Sequence, residues 1–163
     1  YPVGVSEVHL ILGSTLYLIF GAGPAAIGLA GGLLLQGLLF APFDLPQYGI
    51  NVTTLLVPLW GLSHLARRII PADTPYVQVK YWQALALSTA YQGGIVGWVA
   101  FWALYGGGFG AENLASIGSF GAAYMTVIIV EPLADLAVLA AAKTLSRYAT
   151  SPIFYNRLHH PAV

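Results

Sequence analysis

The chain has 163 residues, with six basic and six acidic side chains making up 7% of it and apolar residues making up 58%; its mean hydropathy is +0.75. Water-soluble domains run at about 25% charged, so a soluble fold is excluded. A net charge of zero gives nucleic acid no electrostatic reason to bind. Without cysteine there is no disulfide, iron–sulfur or thiolate chemistry, and any metal must be held by nitrogen or oxygen.

The few charges are clustered. Stretches 8–43, 45–66, 81–111 and 113–130 carry none, and a bilayer-crossing helix needs about 20 residues. The chain reads as an all-α, polytopic transmembrane helix bundle, a single domain over 1–163 with a loose cytoplasmic tail at 151–163. It begins at Tyr1 rather than Met, and the first apolar run lacks the basic flank and cleavage site of a signal peptide. It is therefore read as a fragment or a processed product.

Five spans are expected. The first, 8–20, reaches only about 20 Å as a helix, so it extends N-terminally or sits in a thinned or protein-lined region. It stops at Gly21-Ala22-Gly23-Pro24, and Pro24 suits the first turn of the second span, 24–40. Pro42, Pro46 and Gly49 mark 41–49 as a loop. The third span, 50–70, ends in Pro71-Ala72-Asp73-Thr74-Pro75, and the fourth, 79–105, ends in Gly106-Gly107-Gly108. A single helix over 112–147 would be about 54 Å long, against a hydrocarbon core of about 30 Å. The crossing part is accordingly placed at 123–143, with 113–122 as an interfacial or re-entrant piece.

Basic residues favour the cytoplasmic side. Arg67, Arg68 and Lys80 flank one loop and Lys143, Arg147 and Arg157 follow the last span, which puts both groups inside and the N-terminus, with Glu7 and His9, outside. The aromatic belts agree: Tyr81 and Trp82 sit at the inner end of span four, and Trp98, Trp102 and Tyr105 at its outer end. The small-residue pairs Gly28/Gly32, Gly93/Gly97 and Ala137/Ala141 have helix-packing spacing. They serve either ordinary packing within the bundle, the commoner use, or docking to a partner subunit.

Few side chains can carry chemistry. His9 lies where the outer segment enters the membrane, and a neutral imidazole there is a ligand for cobalt, nickel or zinc or an interfacial histidine bonded to a neighbour. His64 sits on the opposite face, so the two cannot jointly hold a haem. His159 and His160 read as a solvated terminus. Glu131 and Asp135 are four apart and share a helix face, with Pro132 at a possible kink. Glu131 falls near mid-membrane, where an ionisable group marks a pathway or binding site; it is either part of a proton relay or a packing residue bonded to Gln92 or Tyr91. Gln36, Asn51, Thr53, Thr54, Ser88, Thr89 and Gln92 are expected to gather mostly in the outer half beside His9, as a permease pocket requires. No G-x-x-x-x-G-K-[ST], G-x-S-x-G or H-E-x-x-H occurs, so the chain neither powers transport itself nor carries a hydrolase signature.

The run Ser-Glu-Val-His-Leu-Ile-Leu-Gly (6–13), with Gly23-Pro24, Leu-Leu-Gln-Gly-Leu-Leu-Phe-Ala (34–41) and Tyr-Gly-Ile-Asn-Val (48–52), resembles the CbiM/NikM family. These are the metal-binding membrane subunits of energy-coupling-factor ABC transporters for cobalt and nickel. Glu131 in its apolar helix fits the family's pattern as well. The resemblance implies a permease with about seven spans in the inner (plasma) membrane, capturing Co(II) or Ni(II) as transported substrate, for example for cobalamin biosynthesis. ATP hydrolysis would lie on separate ATPase subunits working through a coupling transmembrane subunit.

It further implies that His9 completes a nitrogen-rich, nearly square-planar site with an N-terminal Met-His segment, which this chain, starting at Tyr1, lacks. Ser6, Glu7, Gln36 and Asn51 would orient that imidazole, and Glu131 would belong to the polar network. The rivals from other classes are a proton-coupled transporter built on Glu131 and Asp135, and a structural membrane-anchor subunit.

Overall fold

In the computed structural model the described residues are 2–3, 6–7 and 10–146. A two-residue antiparallel ladder, β1 (Pro2–Val3) with β2 (Ser6–Glu7), pairs Pro2 with Glu7 and Val3 with Ser6. The helices that follow are α1 (Gly13–Phe20), α2 (Ala22–Leu39), α3 (Tyr48–Ile69), α4 (Tyr81–Gly107) and α5 (Ala111–Ser146). Their order in space follows the chain, because short connections leave sequential helices antiparallel neighbours. α4 packs against both α3 and α5, α2 covers α3, and α1 is wedged among α2, α3 and α4.

Three helices, α2, α4 and α5, are long and apolar enough to cross a bilayer. α3 has 22 residues, about 33 Å, and so has the length, although Arg67 and Arg68 in its last turn lower its hydropathy. α1 does not cross. Its eight residues reach about 12 Å, so the first of the five expected spans is a half-helix lined by protein, with Gly13, Ser14 and Thr15 buried.

Two other expectations are corrected. The segment 113–122 is not a separate interfacial piece: α5 runs unbroken for 36 residues, and Phe120 and Tyr124 in its first half are core residues. Pro132 is accommodated inside that helix. The proline-bracketed stretch after α2 is a 3-10 helix, Pro42–Gln47, rather than an open loop. Proline fixes φ near the value a 3-10 turn needs, and the Asp44 N–H donates to the Ala41 carbonyl at 2.9 Å.

The core runs down one face each of α3, α4 and α5. Leu87, Tyr91, Ile95 and Val99 recur every fourth residue on α4, facing Phe120, Tyr124 and Val127 of α5 and Leu59, Leu62 and Ala66 of α3. A second cluster joins Tyr76, Val79, Ala84 and Leu139, with Leu18 and Ile19 of α1 packed on it. It closes the end of the bundle that carries Lys80 and Lys143, where Gln83 donates to the Ile69 carbonyl and Lys143 to the Val77 carbonyl.

The small-residue pairs do not serve packing within this bundle. Gly28, Gly32, Gly93, Gly97, Ala137 and Ala141 are all exposed, and a Cβ built on any of the four glycines would meet nothing within 4 Å. The glycines that do permit close approach are others. At Gly94 a Cβ would lie 2.9 Å from the Pro58 Cβ, fixing the α3–α4 crossing, and at Gly13 it would overlap the Tyr91 ring.

Candidate functional site

The end of the bundle opposite Lys80 holds a cavity of about 550 Å³. Its polar wall comes from Gln36 on α2, Asp44 and Gln47 on the 3-10 helix, Asn51 and Thr54 on α3, and Asn113 on α5. These residues meet because the short 3-10 connection turns α2 into α3, placing the last turns of one beside the first turns of the other. Asn113 is set by two donations from its amide, to Ala103 at 2.9 Å and Gly108 at 2.7 Å. One carbonyl is in the last turn of α4 and the other just past its end, so Asn113 ties the start of α5 to the end of α4. The apolar wall is Trp102, Ile95, Val99, Phe120, Tyr124 and, from the segment before α1, Ile11.

Below Tyr124 the interior is polar but closed. The Tyr124 hydroxyl donates to Gln92 Oε1 at 2.9 Å, with Gln92 fully buried. Two turns further along α5, Glu131 is also fully buried. It stands 12 residues before Lys143, about 18 Å along the helix, within a helix long and apolar enough to cross a membrane. A carboxyl group there is costly unless its oxygens are occupied. Glu131 Oε2 accepts the Ile11 N–H at 2.7 Å and Oε1 accepts the Leu12 N–H at 2.8 Å. Asp135, one turn further on, accepts the Ser14 hydroxyl on Oδ2 and the Thr15 hydroxyl at 2.6 Å on Oδ1.

All four oxygens therefore point at one five-residue stretch of chain. That stretch is strained and short. Leu12 has φ 54, in the left-handed region that costs an ordinary residue roughly 1–2 kcal/mol, and no side chain caps α1 from its own sequence. Each hydrogen bond to Glu131 contributes about 1 kcal/mol or more, enough to offset the strain. An eight-residue helix is too short to persist alone. Gly13 lets its first turn lie flat against Tyr91, whose hydroxyl donates to the Leu55 carbonyl at 3.3 Å. Tyr76, from the 3-10 turn Tyr76–Gln78, closes the region from below; burial first, and Asp135 as a further cause, push its phenol up to about 12.

The expected site residues are distributed as follows. Gln36 and Asn51 share the cavity, with Thr54 beside them. Thr53 faces elsewhere and accepts the Trp98 and Trp102 indole N–H groups at 3.1 and 3.3 Å. Ser88 and Gln92 are buried beneath the cavity rather than lining it, and Thr89 is exposed. Glu131 lies under the cavity, bonded to the chain segment that enters it. Ser6 and Glu7 are placed as backbone in β2, and β1 lies beside α5. His9, His159 and His160 lie outside the described residues, as does the tail 151–163. His64 is exposed, its ring 4.4 Å from that of Trp60, with Nδ1 3.0 Å from the Trp60 carbonyl. Among the described residues no group of three or more histidine, aspartate or glutamate side chains converges as a metal site.

Asp44, Gln47 and Asn113 were not anticipated as cavity residues. A signal for the first two was present: a polar, proline-braced connection between spans two and three must lie over whatever those helix ends enclose.

A family profile described as "cobalt uptake substrate-specific transmembrane region" matches residues 1–148. No curated protein matches significantly, and neither does any solved structure.

Proposed function

The chain belongs to the CbiM family of cobalt-uptake, substrate-specific transmembrane regions, and from that premise we propose that it is the metal-capturing permease of an energy-coupling-factor transporter. It is a membrane component of transport rather than an enzyme. In this reading the Asp44 end of the bundle faces outward in the plasma membrane, and Co(II) or Ni(II) enters the cavity there. His9 supplies an imidazole, and nitrogen-rich ligation selects these ions over Mg(II) and Ca(II). ATPase subunits and a coupling membrane subunit drive release inward, to serve cobalamin biosynthesis or a nickel enzyme.

The observation that supports the reading most is the course of the N-terminal segment. Ile11 lines the cavity, and His9 precedes it by two residues, at most about 7 Å of chain. Gln36 and Asn51 stand in the same cavity as polar groups able to orient a ligand. The rival proton-coupled carrier is disfavoured by the same geometry, since every oxygen of Glu131 and Asp135 accepts a hydrogen bond from the α1 segment.

The test is equilibrium binding of Ni(II) and Co(II) to the full-length native protein in lipid nanodiscs. His9→Ala is expected to weaken binding more than about 100-fold, beyond the usual cost of losing an outer hydrogen-bonding partner. Undiminished binding by that variant contradicts the assignment. Metal-independent, pH-gradient-driven transport that fails in Asp135→Asn supports the rival.

A further inference from the structure

We propose that Glu131 and Asp135 are positioning residues for metal capture: together they set the register of α1 against α5, and through Ile11 they set where the N-terminal segment meets the cavity. The inference rests on the capture reading above and extends it to residues that touch no metal.

Three observations carry it. The first is that the four bonds are consecutive in register: Glu131 holds the backbone of Ile11 and Leu12, and Asp135, one turn along the same face, holds the side chains of Ser14 and Thr15. Slipping α1 by one residue would put Gly13 or Leu16 where a hydroxyl is needed and leave one buried Asp135 oxygen unpaired, so the pair favours one register over its neighbours. The second is that Ile11 belongs to both structures. Its N–H is held by Glu131 at 2.7 Å and the same residue forms part of the cavity wall, so a displaced clamp is a displaced wall. The third is that a tight contact near the start of α1 agrees with this register: only glycine fits against Tyr91, so a slip by one residue would press Leu12 or Ser14 into the ring. Polar bonding and this close approach specify the same register.

These 163 residues hold no cysteine, so a cysteine introduced among them takes the spin label alone once any cysteine elsewhere in the protein is replaced by serine. In the full-length native protein, labels at Leu10 and Leu114, 60% and 49% exposed, report the distance from the N-terminal segment to the start of α5 by pulsed electron resonance. Ni(II) affinity is measured on the same variants. The native clamp predicts a single narrow distance distribution. Glu131→Gln, which turns one acceptor into a donor facing an N–H, is expected to broaden it and weaken Ni(II) binding about tenfold or more, in the range of outer-shell substitutions at metal sites. Leu139→Ala, a core truncation at the closed end, serves as control: it lowers thermal stability and leaves distance and affinity as they were.

A narrow distribution in Glu131→Gln, or a broadened one with unchanged affinity, overturns the proposal. So does an equal loss of affinity in Leu139→Ala. Should Glu131→Gln not fold, Ser14→Ala, which deletes one hydroxyl and no charge, is read by the same criteria. A native protein that binds neither Ni(II) nor Co(II) contradicts the capture reading instead, and the distance measurement alone then decides whether the carboxylates hold the register.

Discussion

The two ends of this bundle use their polar residues in opposite ways. At the Lys80 end most polar groups are consumed internally: Gln83 occupies the carbonyl of Ile69 at the end of α3, Lys143 that of Val77 in the 3-10 turn, and Asp135 two hydroxyls, while the buried Tyr76 hydroxyl is left over. At the Asp44 end Gln36, Gln47 and Asn51 face a cavity, and no hydrogen bond joins their side chains to another described residue. Both ends are made from the same kinds of helix. A membrane protein gains little from burying apolar surface against apolar surface, so hydrogen-bonding capacity left facing a space is what separates the open end from the closed one.

That contrast is sharpest at glycine. Gly13→Ala would drive a methyl group into the Tyr91 ring. Overpacking of this kind costs about 1–3 kcal/mol, and here it also loads the Glu131 bonds. Thermal unfolding in lipid should show a clear loss. Gly28→Ala, with nothing within 4 Å, should be neutral or stabilising by up to about 1 kcal/mol, the helix preference for alanine over glycine. Equal losses at both positions would show that the wedge of α1 into the bundle is not as described.

A smaller effect is expected at the open end. Asp44 is half-buried and is the carboxylate among the described residues that line the cavity. A negative charge at the mouth of a low-dielectric cleft raises the local concentration of a cation. Asp44→Asn should slow Co(II) or Ni(II) association several-fold at low ionic strength, with the difference shrinking in salt above about 0.15 M, where the screening length falls below 8 Å. Stopped-flow association rates across a salt series measure this. A salt-independent change would make Asp44 part of the cavity's shape rather than of its field.

Much of the architecture was legible because charges and helix breakers are rare here and each one punctuates the chain. The positions of α2, α3 and α4 followed from the uncharged stretches and the Gly/Pro runs, and the distance from 8 to 20 showed that the first span is short, though not that its helix covers only 13–20. The buried faces were not legible. On α4 and α5 the lipid-facing side is as apolar as the core, so periodicity carries no signal, and spacing selected Gly93 and Gly97 while the crossing was made at Gly94. The burial of Glu131 was readable by counting back from Lys143. Its partners were not, because a backbone N–H has no sequence signature, and Ser14 and Thr15 lie some 120 residues away from Asp135 in the chain. The gathering of Gln36 and Asn51 was foreseeable from alternating helix direction alone.

Nickel-edge X-ray absorption of the metal-loaded, full-length protein tests the central claim most directly, comparing the native chain with His9→Ala. The account predicts a nitrogen-dominated first shell with the outer scattering of an imidazole ring, lost in the variant. An oxygen-dominated shell, or a spectrum that the substitution leaves unchanged, would contradict it.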